Sequence, residues 1–148
     1  MLYSTVYGLV FQPAKGDSMI LNLTQHPATD VQRVLGVVDM DGDDLIALRR
    51  ALTFESCPSR ENIIARATRI VYLACANRMV MERGEQPRAA MIGGAGYLMS
   101  ALEARLSARG IEPLHAFTLR DVVETTGPDG AVTKTAIFRH AGWVRTGK

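Results

Sequence analysis

Two short turns in this sequence carry residue types that could hold and react with a phosphate ester. The first turn, residues 22–29, offers an amide, hydroxyls and an imidazole. The second turn, residues 93–97, is rich in glycine. His26 is the residue of the first turn that can exchange protons near neutral pH, because imidazole titrates there. Together the polar groups of this turn would suit a nucleobase, a ribose hydroxyl or a phosphate oxygen.

The glycine turn predicts an anion site. Gly93, Gly94 and Gly96 have no Cβ, so the backbone can approach a ligand closely, and the free amides of a helix start attract negative charge. The turn lacks the Lys and Ser/Thr of a Walker P-loop, and it is not a complete G-x-G-x-x-G motif. Close packing of a helix on a strand remains the alternative. For Thr24 and His26, the alternative is a helix-capping role.

The remaining histidines are weaker candidates. His140, with its neighbour Arg139, is a second possible ligand contact near the end of the chain. We expect His115 to point into or just over the core. The spacing of these residues does not support a Ser/His/Asp relay.

The sequence predicts no metal and no cofactor. Cys57 and Cys75 stand apart from each other and from any His, so a disulfide framework and a zinc knuckle are not expected. The acidic turn 39–44 does not fit an EF-hand loop, because Gly42 comes fourth and Arg50 stands where a Glu is needed. We expect its aspartates to cap the following helix.

Hydrophobic spacing and turn residues predict the elements that position these groups. A surface connection is expected at residues 78–88, residues 139–145 are left unassigned, and Pro128-Asp129-Gly130 predicts a hairpin turn. A strand, the glycine turn, a helix and a strand follow one another over residues 89–117, which is a βαβ unit and implies a parallel sheet. The predicted strands are 19–23, 37–38, 89–92, 114–117, 122–126 and 132–138. The predicted helices begin near residues 31, 45, 57 and 97, and we expect Pro58 in the first turn of the third helix.

This pattern predicts an α/β protein: a Rossmann-like three-layer fold with a mostly parallel sheet and a C-terminal antiparallel β-hairpin. In such a sheet, ligands bind beyond the carboxyl ends of the strands, beside the point where the strand order reverses. If the strand ending near Leu23 and the strand ending at Ile92 are neighbours, the two turns share one rim. That rim is the predicted site.

Length and charge limit the class of protein. The chain has 148 residues, 47% of them hydrophobic, and a net charge of +2, which excludes an extended basic surface for nucleic acid. No stretch resembles a signal peptide or a membrane span, so we expect a cytoplasmic protein. Residues 1–18 read as an N-terminal extension, and residues 19–148 as a single domain.

The start of the domain also indicates a start of translation. The codons for Lys15-Gly16-Asp17 can contain a bacterial ribosome-binding sequence. That sequence would lie at a suitable distance before the codon of Met19, so we expect translation to start at Met19. The alternative is an added edge strand within residues 2–11.

The segment Leu21-Asn22-Leu23-Thr24-Gln25-His26-Pro27-Ala28-Thr29 resembles the strand-one signature of small CRISPR-associated proteins with a Rossmann-like, CARF-related fold. In that signature an Asn-Phe-Ser-His-Pro-type segment precedes the first helix. Leu23 and Thr24 stand where the signature has Phe and Ser, and Gln25 is additional. The resemblance covers nine residues specifically, and the Gly93–Tyr97 turn is compatible with it.

The resemblance implies that the chain binds a cyclic oligoadenylate or related nucleotide phosphodiester. Ring nucleases of this group also cleave the ligand, without a metal. The protein would act as a homodimer whose two rims face each other. The resemblance makes the candidate catalytic residues His26 and Thr24. The candidate ligand contacts are Asn22, Gln25, Gly93, Gly94, Ala95, Gly96, Tyr97, Arg139 and His140.

Three alternatives to cleavage stay open. One is a sensor or sequestering module of the same fold that binds the nucleotide and does not cleave it. Another is a structural or partner-binding α/β protein. An enzyme that cleaves N-glycosides would need a buried carboxylate at the rim, and Asp30 is the single acidic residue in or beside the two turns.

Overall fold

The computed structural model describes residues 4–6, 9–11 and 19–146 and has a five-stranded sheet as its centre. The strands in chain order are β1 (Ser4–Val6), β2 (Leu9–Phe11), β3 (Ile20–Leu23), β4 (Val37–Asp39), β5 (Ala89–Ile92), β6 (Glu112–Thr126) and β7 (Val132–Arg145). The helices are α1 (Asp30–Val34), α2 (Gly42–Leu52), α3 (Arg60–Ala76), α4 (Arg78–Arg83) and α5 (Gly96–Ala108).

The five strands lie in the order β4-β3-β5-β6-β7, and the first four are parallel while β7 is antiparallel to β6. This confirms the predicted Rossmann-like α/β fold with its C-terminal antiparallel hairpin. The chain runs from β3 outward to β4 and then returns past β3 to β5, so the strand order reverses between β3 and β5.

The sheet has a large core on one face and a small one on the other. Leu21, Leu23 and Ile92 pack with α2, α3 and α5. Met91, which alternates with Ile92, packs instead with Ala28 before α1 and with Val37. Because neighbouring strand residues point to opposite faces, the short apolar strands β3 and β5 serve both layers.

Reciprocal caps fix the starts of two helices. Thr29 and Gln32 form a capping box at α1, and Ser59 and Asn62 form one at α3. The prediction that Pro58 lies in the first turn of α3 is therefore wrong, because Ser59 is the cap and Pro58 precedes it.

The acidic turn contributes less capping than predicted. Asp41 occupies the cap position of α2 without a side-chain cap hydrogen bond, and its carboxylate pairs with Arg78 at 3.0 Å. Asp43 and Asp44 lie in the first turn of α2, where negative charge suits the helix dipole.

The predicted surface connection at residues 78–88 contains a helix, α4. Asn77 ends α3 and begins α4: its side-chain oxygen accepts a hydrogen bond from the Val80 amide at 3.0 Å, and its nitrogen donates to Leu73 O at 2.9 Å. Asn77 is 1% exposed. Tertiary burial of one capping residue thus produces a helix that the polar sequence did not predict.

The C-terminal strands are longer than predicted. The stretches 114–117 and 122–126 belong to the continuous strand β6, and the unassigned residues 139–145 complete β7. A register shift at Phe117/Thr118 lies where the pair leaves the rest of the sheet. Beyond that point, in the part of the chain the structure describes, no third strand pairs with it, so residues 118–140 form a projecting two-stranded ribbon.

The N-terminal strands β1 and β2 pair with each other as a separate antiparallel sheet. They do not join the five-stranded sheet. The rest of the extension lies outside the described residues, and the start of translation at Met19 stays a prediction. Among the helices that the structure does describe, none combines the length and apolar character needed to span a bilayer.

Candidate functional site

The two predicted turns meet at the point where the strand order reverses. Leu23 and Ile92 are register partners, so β3 and β5 end level with each other. A cavity of about 510 Å³ lies over these ends. It is lined by Thr24, Gln25, His26, Pro27, Thr29, Gln32, Leu52, Met91, Ile92, Gly93, Gly94, Ala95, His115 and Ala116. This is the place where open α/β sheets bind ligands.

The glycine turn leads from β5 into α5. Gly94 has a φ of 142°, a conformation that favours glycine, whereas a Cβ on Gly96 would meet no atom within 4 Å. Ala95 is the cap residue of α5 and gives no side-chain cap. The amides of the first helical turn therefore donate no hydrogen bond to a capping side chain, and the dipole of a 13-residue helix adds positive potential there.

Asn22 organises the opposite turn from within. It is 3% exposed, and its Oδ1 accepts hydrogen bonds from the backbone and hydroxyl of Thr24 at 2.9 and 2.7 Å. Its Nδ2 donates to the His26 carbonyl at 2.8 Å and to Asp39 Oδ1 at 2.7 Å. All its polar atoms are thus used to shape the loop, and Asn22 does not line the 510 Å³ cavity.

Asp39, which was expected with the other aspartates of its turn to cap the following helix, instead anchors the first turn from the end of β4. Its carboxylate accepts from Asn22, from the Ala28 amide at 3.1 Å and from Arg33 at 3.2 Å. The register partner of Asp39 is Asn22. Only the pairing of β3 with β4 could have indicated this contact.

Three neighbouring side chains of the first turn reach the cavity. The His26 side chain is exposed and has no hydrogen-bond partner among the described residues. The Thr24 hydroxyl donates within the loop to Asn22 Oδ1 at 2.7 Å, and its oxygen accepts from the His26 amide at 3.4 Å. Gln25 Nε2 donates to Thr53 Oγ1 at 3.2 Å and so links the turn to the end of α2.

His115 is a second imidazole in the cavity wall. It was expected in or just over the core, but β6 pairs with β5 so that His115 lies beside Ile92. Its Nε2 lies 2.6 Å from Glu103 Oε1 on α5, and both side chains are about one quarter exposed. The carboxylate orients the ring, as in many proton-transfer sites. Of the described residues, no three or more His, Cys, Asp or Glu are grouped to hold a metal ion.

The structure does not bring Arg139 or His140 to the cavity. Arg139 bonds to Asp121 along the ribbon at 3.0 Å. His140 is 4% exposed and lies behind Gln32, with its ring centroid 4.5 Å from that of Trp143. Tyr97, in the first turn of α5, is about half exposed and packs edge-on against Phe54 outside the cavity lining.

The chain belongs to the uncharacterized protein MJ1673 family, whose family model matches residues 18–144. The description of that family states no activity and makes no link to CRISPR or to CARF proteins. No curated protein and no solved structure matches the chain.

Proposed function

We propose that this member of the MJ1673 family binds a nucleotide phosphodiester in the cavity over the carboxyl ends of β3 and β5 and cleaves it without a metal. The observation that carries the proposal is the composition of the cavity lining: two imidazoles, His26 and His115, face the same space as the turn that opens α5. The short resemblance around residues 21–29 supports a cyclic oligoadenylate as the substrate and a role in CRISPR-linked antiviral signalling.

The proposed chemistry is an internal transfer at phosphorus. A ribose 2′-oxygen attacks the adjacent phosphorus, the bond from phosphorus to the 5′-oxygen of the next nucleotide breaks, and a 2′,3′-cyclic phosphate and a 5′-hydroxyl result. His26 accepts the proton of the 2′-hydroxyl, and His115 gives a proton to the departing oxygen. The amides at the start of α5 stabilise the charge that develops on the phosphate.

A sensor that binds the same nucleotide without cleaving it is the second candidate. The bonding of Asn22 favours it, because both polar atoms of this side chain are already bonded to the loop and to Asp39. Thr24 likewise spends its hydroxyl proton inside the turn. In that case, the two histidines would contact the ligand as hydrogen-bonding groups.

Incubation with labelled cyclic tetra- and hexa-adenylate in EDTA separates these functions. We expect retention and linear products, and His26→Ala should lower kcat about 100-fold or more while binding changes little, since general acid–base groups contribute that much. Retention without products would support the sensor. No retention of either ring would refute both proposals, and an unchanged rate in His26→Ala would exclude proton transfer by His26.

A further inference from the structure

A second concave surface lies beside the candidate site, at the carboxyl end of α2. This groove, of about 580 Å³, is lined by Arg49, Arg50, Thr53, Glu55, Ser56 and Arg66. Arg49 also lines a small cavity of about 70 Å³, whose wall includes Thr24 and His26. The groove and the 510 Å³ cavity are therefore connected along one rim through residues that they share with the small cavity.

The groove carries cations at the carboxyl end of α2, where the helix dipole favours them. Exposed carbonyls at a helix C-terminus repel anions. Here Arg66 Nη1 donates to the carbonyls of Arg50, Ala51 and Thr53 at 2.8, 3.2 and 2.6 Å, and its guanidinium lies 4.8 Å from the Phe54 ring centroid. The carbonyl end of α2 is thus neutralised by a cation that is held in place.

Two further guanidinium groups remain available. Arg49 and Arg50 are exposed, and their side chains form no ion pair or hydrogen bond with any residue in the described part of the chain. Arg33, Arg78 and Arg145, by contrast, each pair with a carboxylate. Glu55 is the one acidic residue of the groove lining, against three arginines. The balance favours an anion.

A direct hydrogen bond joins the groove to the candidate site. Thr53 Oγ1, in the groove wall, accepts from Gln25 Nε2 in the cavity wall and donates to the Arg49 carbonyl at 2.8 Å. The Gln25–Thr53 pair forms a low polar bridge between the two concave surfaces. A ligand that crosses this bridge would present one anionic group to each side.

We propose that the groove is a second phosphate subsite, with Arg49 and Arg50 as its ligands, and that the protein binds a nucleotide chain with more than one phosphate. This inference rests on the proposed function, which places the first phosphate at the start of α5. Guanidinium groups suit the role because their paired N–H donors match phosphate oxygens. The chain passes over the Gln25–Thr53 bridge.

Calorimetric titration in EDTA at fixed salt tests the subsite with adenosine 5′-monophosphate and linear tetra-adenylate as probes, the tetra-adenylate carrying 2′-deoxyribose so that it lacks the attacking hydroxyl and stays intact. The wild-type protein should bind tetra-adenylate at least about tenfold more tightly, since each charge-assisted contact contributes on this scale. Arg49→Gln/Arg50→Gln should remove most of that advantage and leave the affinity for the monophosphate unchanged. The matched control is Arg83→Gln/Arg109→Gln, which removes the same charge from exposed positions at the other end of the sheet.

Each outcome has a distinct meaning. Equal affinities of the wild type for the two probes, an unchanged double variant, or an equal loss in the control variant would overturn the subsite. If only tetra-adenylate binds and the Arg49/Arg50 variant loses it, the subsite is supported and the proposed placement of a phosphate at α5 is refuted. No binding of either probe would overturn both.

Discussion

His140 illustrates how one residue can carry a measurable property without touching the candidate site. Gln32 Oε1 accepts from the Thr29 amide, so its nitrogen faces the ring and donates to His140 Nδ1 at 3.3 Å. The proton of the neutral ring then lies on Nε2, which is buried and has no partner among the described residues. Burial lowers the pKa of His140 below its ordinary value of 6.5.

The lowered pKa predicts the direction in which stability depends on pH. Below about pH 6.5 the unfolded chain binds a proton at His140 more readily than the folded protein does, so the free energy of unfolding falls as pH decreases. Urea unfolding at pH 7.5, 6.5 and 5.5 should show this loss, and His140→Phe should reduce it. His26→Asn is the control, because that side chain is exposed. Equal pH dependence of His140→Phe and the wild type would contradict the prediction.

A second substitution reverses the effect. Gln32→Glu keeps the capping box of α1, in which Glu is equally suitable, and places a carboxylate against Nδ1. It should raise the pKa of His140, as measured by NMR titration of the ring. A pKa unchanged from that of the wild type would show that Gln32 does not control the protonation of this ring.

The contacts of single residues also explain why part of the site could not be predicted from the sequence. Asn22 was predicted as a ligand contact from its residue type and position at a strand end. Its bonding is decided by Asp39, which is 17 residues away and becomes its neighbour only when β3 pairs with β4. His115 was not predicted as a cavity residue for a similar reason, because its place in the cavity wall follows from the pairing of β6 with β5.

Among the elements, the turn between β5 and α5 was the most predictable, because an apolar strand, glycines and a helical period follow one another directly. Two glycines in this turn differ in how well their positions would accept a side chain. Gly94 has a positive φ, and Gly96 has open space where a Cβ would stand. Two elements were predicted poorly: α4, whose cap residue Asn77 is buried, and the extended ribbon, which forms by the pairing of β6 with β7.

Substitution at the two glycines should therefore have unequal effects. Gly94→Val should lower the free energy of unfolding by about 1–3 kcal/mol, because a branched residue is strained at that φ. Gly96→Ala should change it by less than about 0.5 kcal/mol, as surface substitutions usually do. Urea unfolding measures both, and equal losses would show that the backbone conformation of Gly94 is not what limits substitution.

At the scale of the whole molecule, the ribbon is the part least supported by the rest of the fold. Paired residues share a face, and exposed apolar side chains occur on both faces: Val122 and Phe138 on one, Leu119 and Ile137 on the other. A two-stranded ribbon is only marginally stable alone in water. Its charged residues include both signs, as in the Lys134–Glu124 and Arg139–Asp121 pairs. These features are compatible with the homodimer that the N-terminal resemblance implies.

Light scattering after size-exclusion chromatography tests that prediction. We expect a dimer, and Val122→Lys/Phe138→Lys should convert it to a monomer because the charges would be buried at the contact. The control is Ile46→Lys, which adds a charge at an exposed apolar position of α2. A wild-type monomer, or a dimer that survives the double substitution, would show that the ribbon does not form a dimer interface.

The tip of the ribbon offers a practical use. The turn closes with Gly127 N donating to Ala131 O at 2.8 Å, and both ends of the turn therefore lie close together. A short inserted peptide or a fluorophore there would interrupt no layer of the core and would sit far along the chain from both strand ends of the cavity. The hairpin thus provides an attachment point for a reporter group that leaves the cavity lining unchanged.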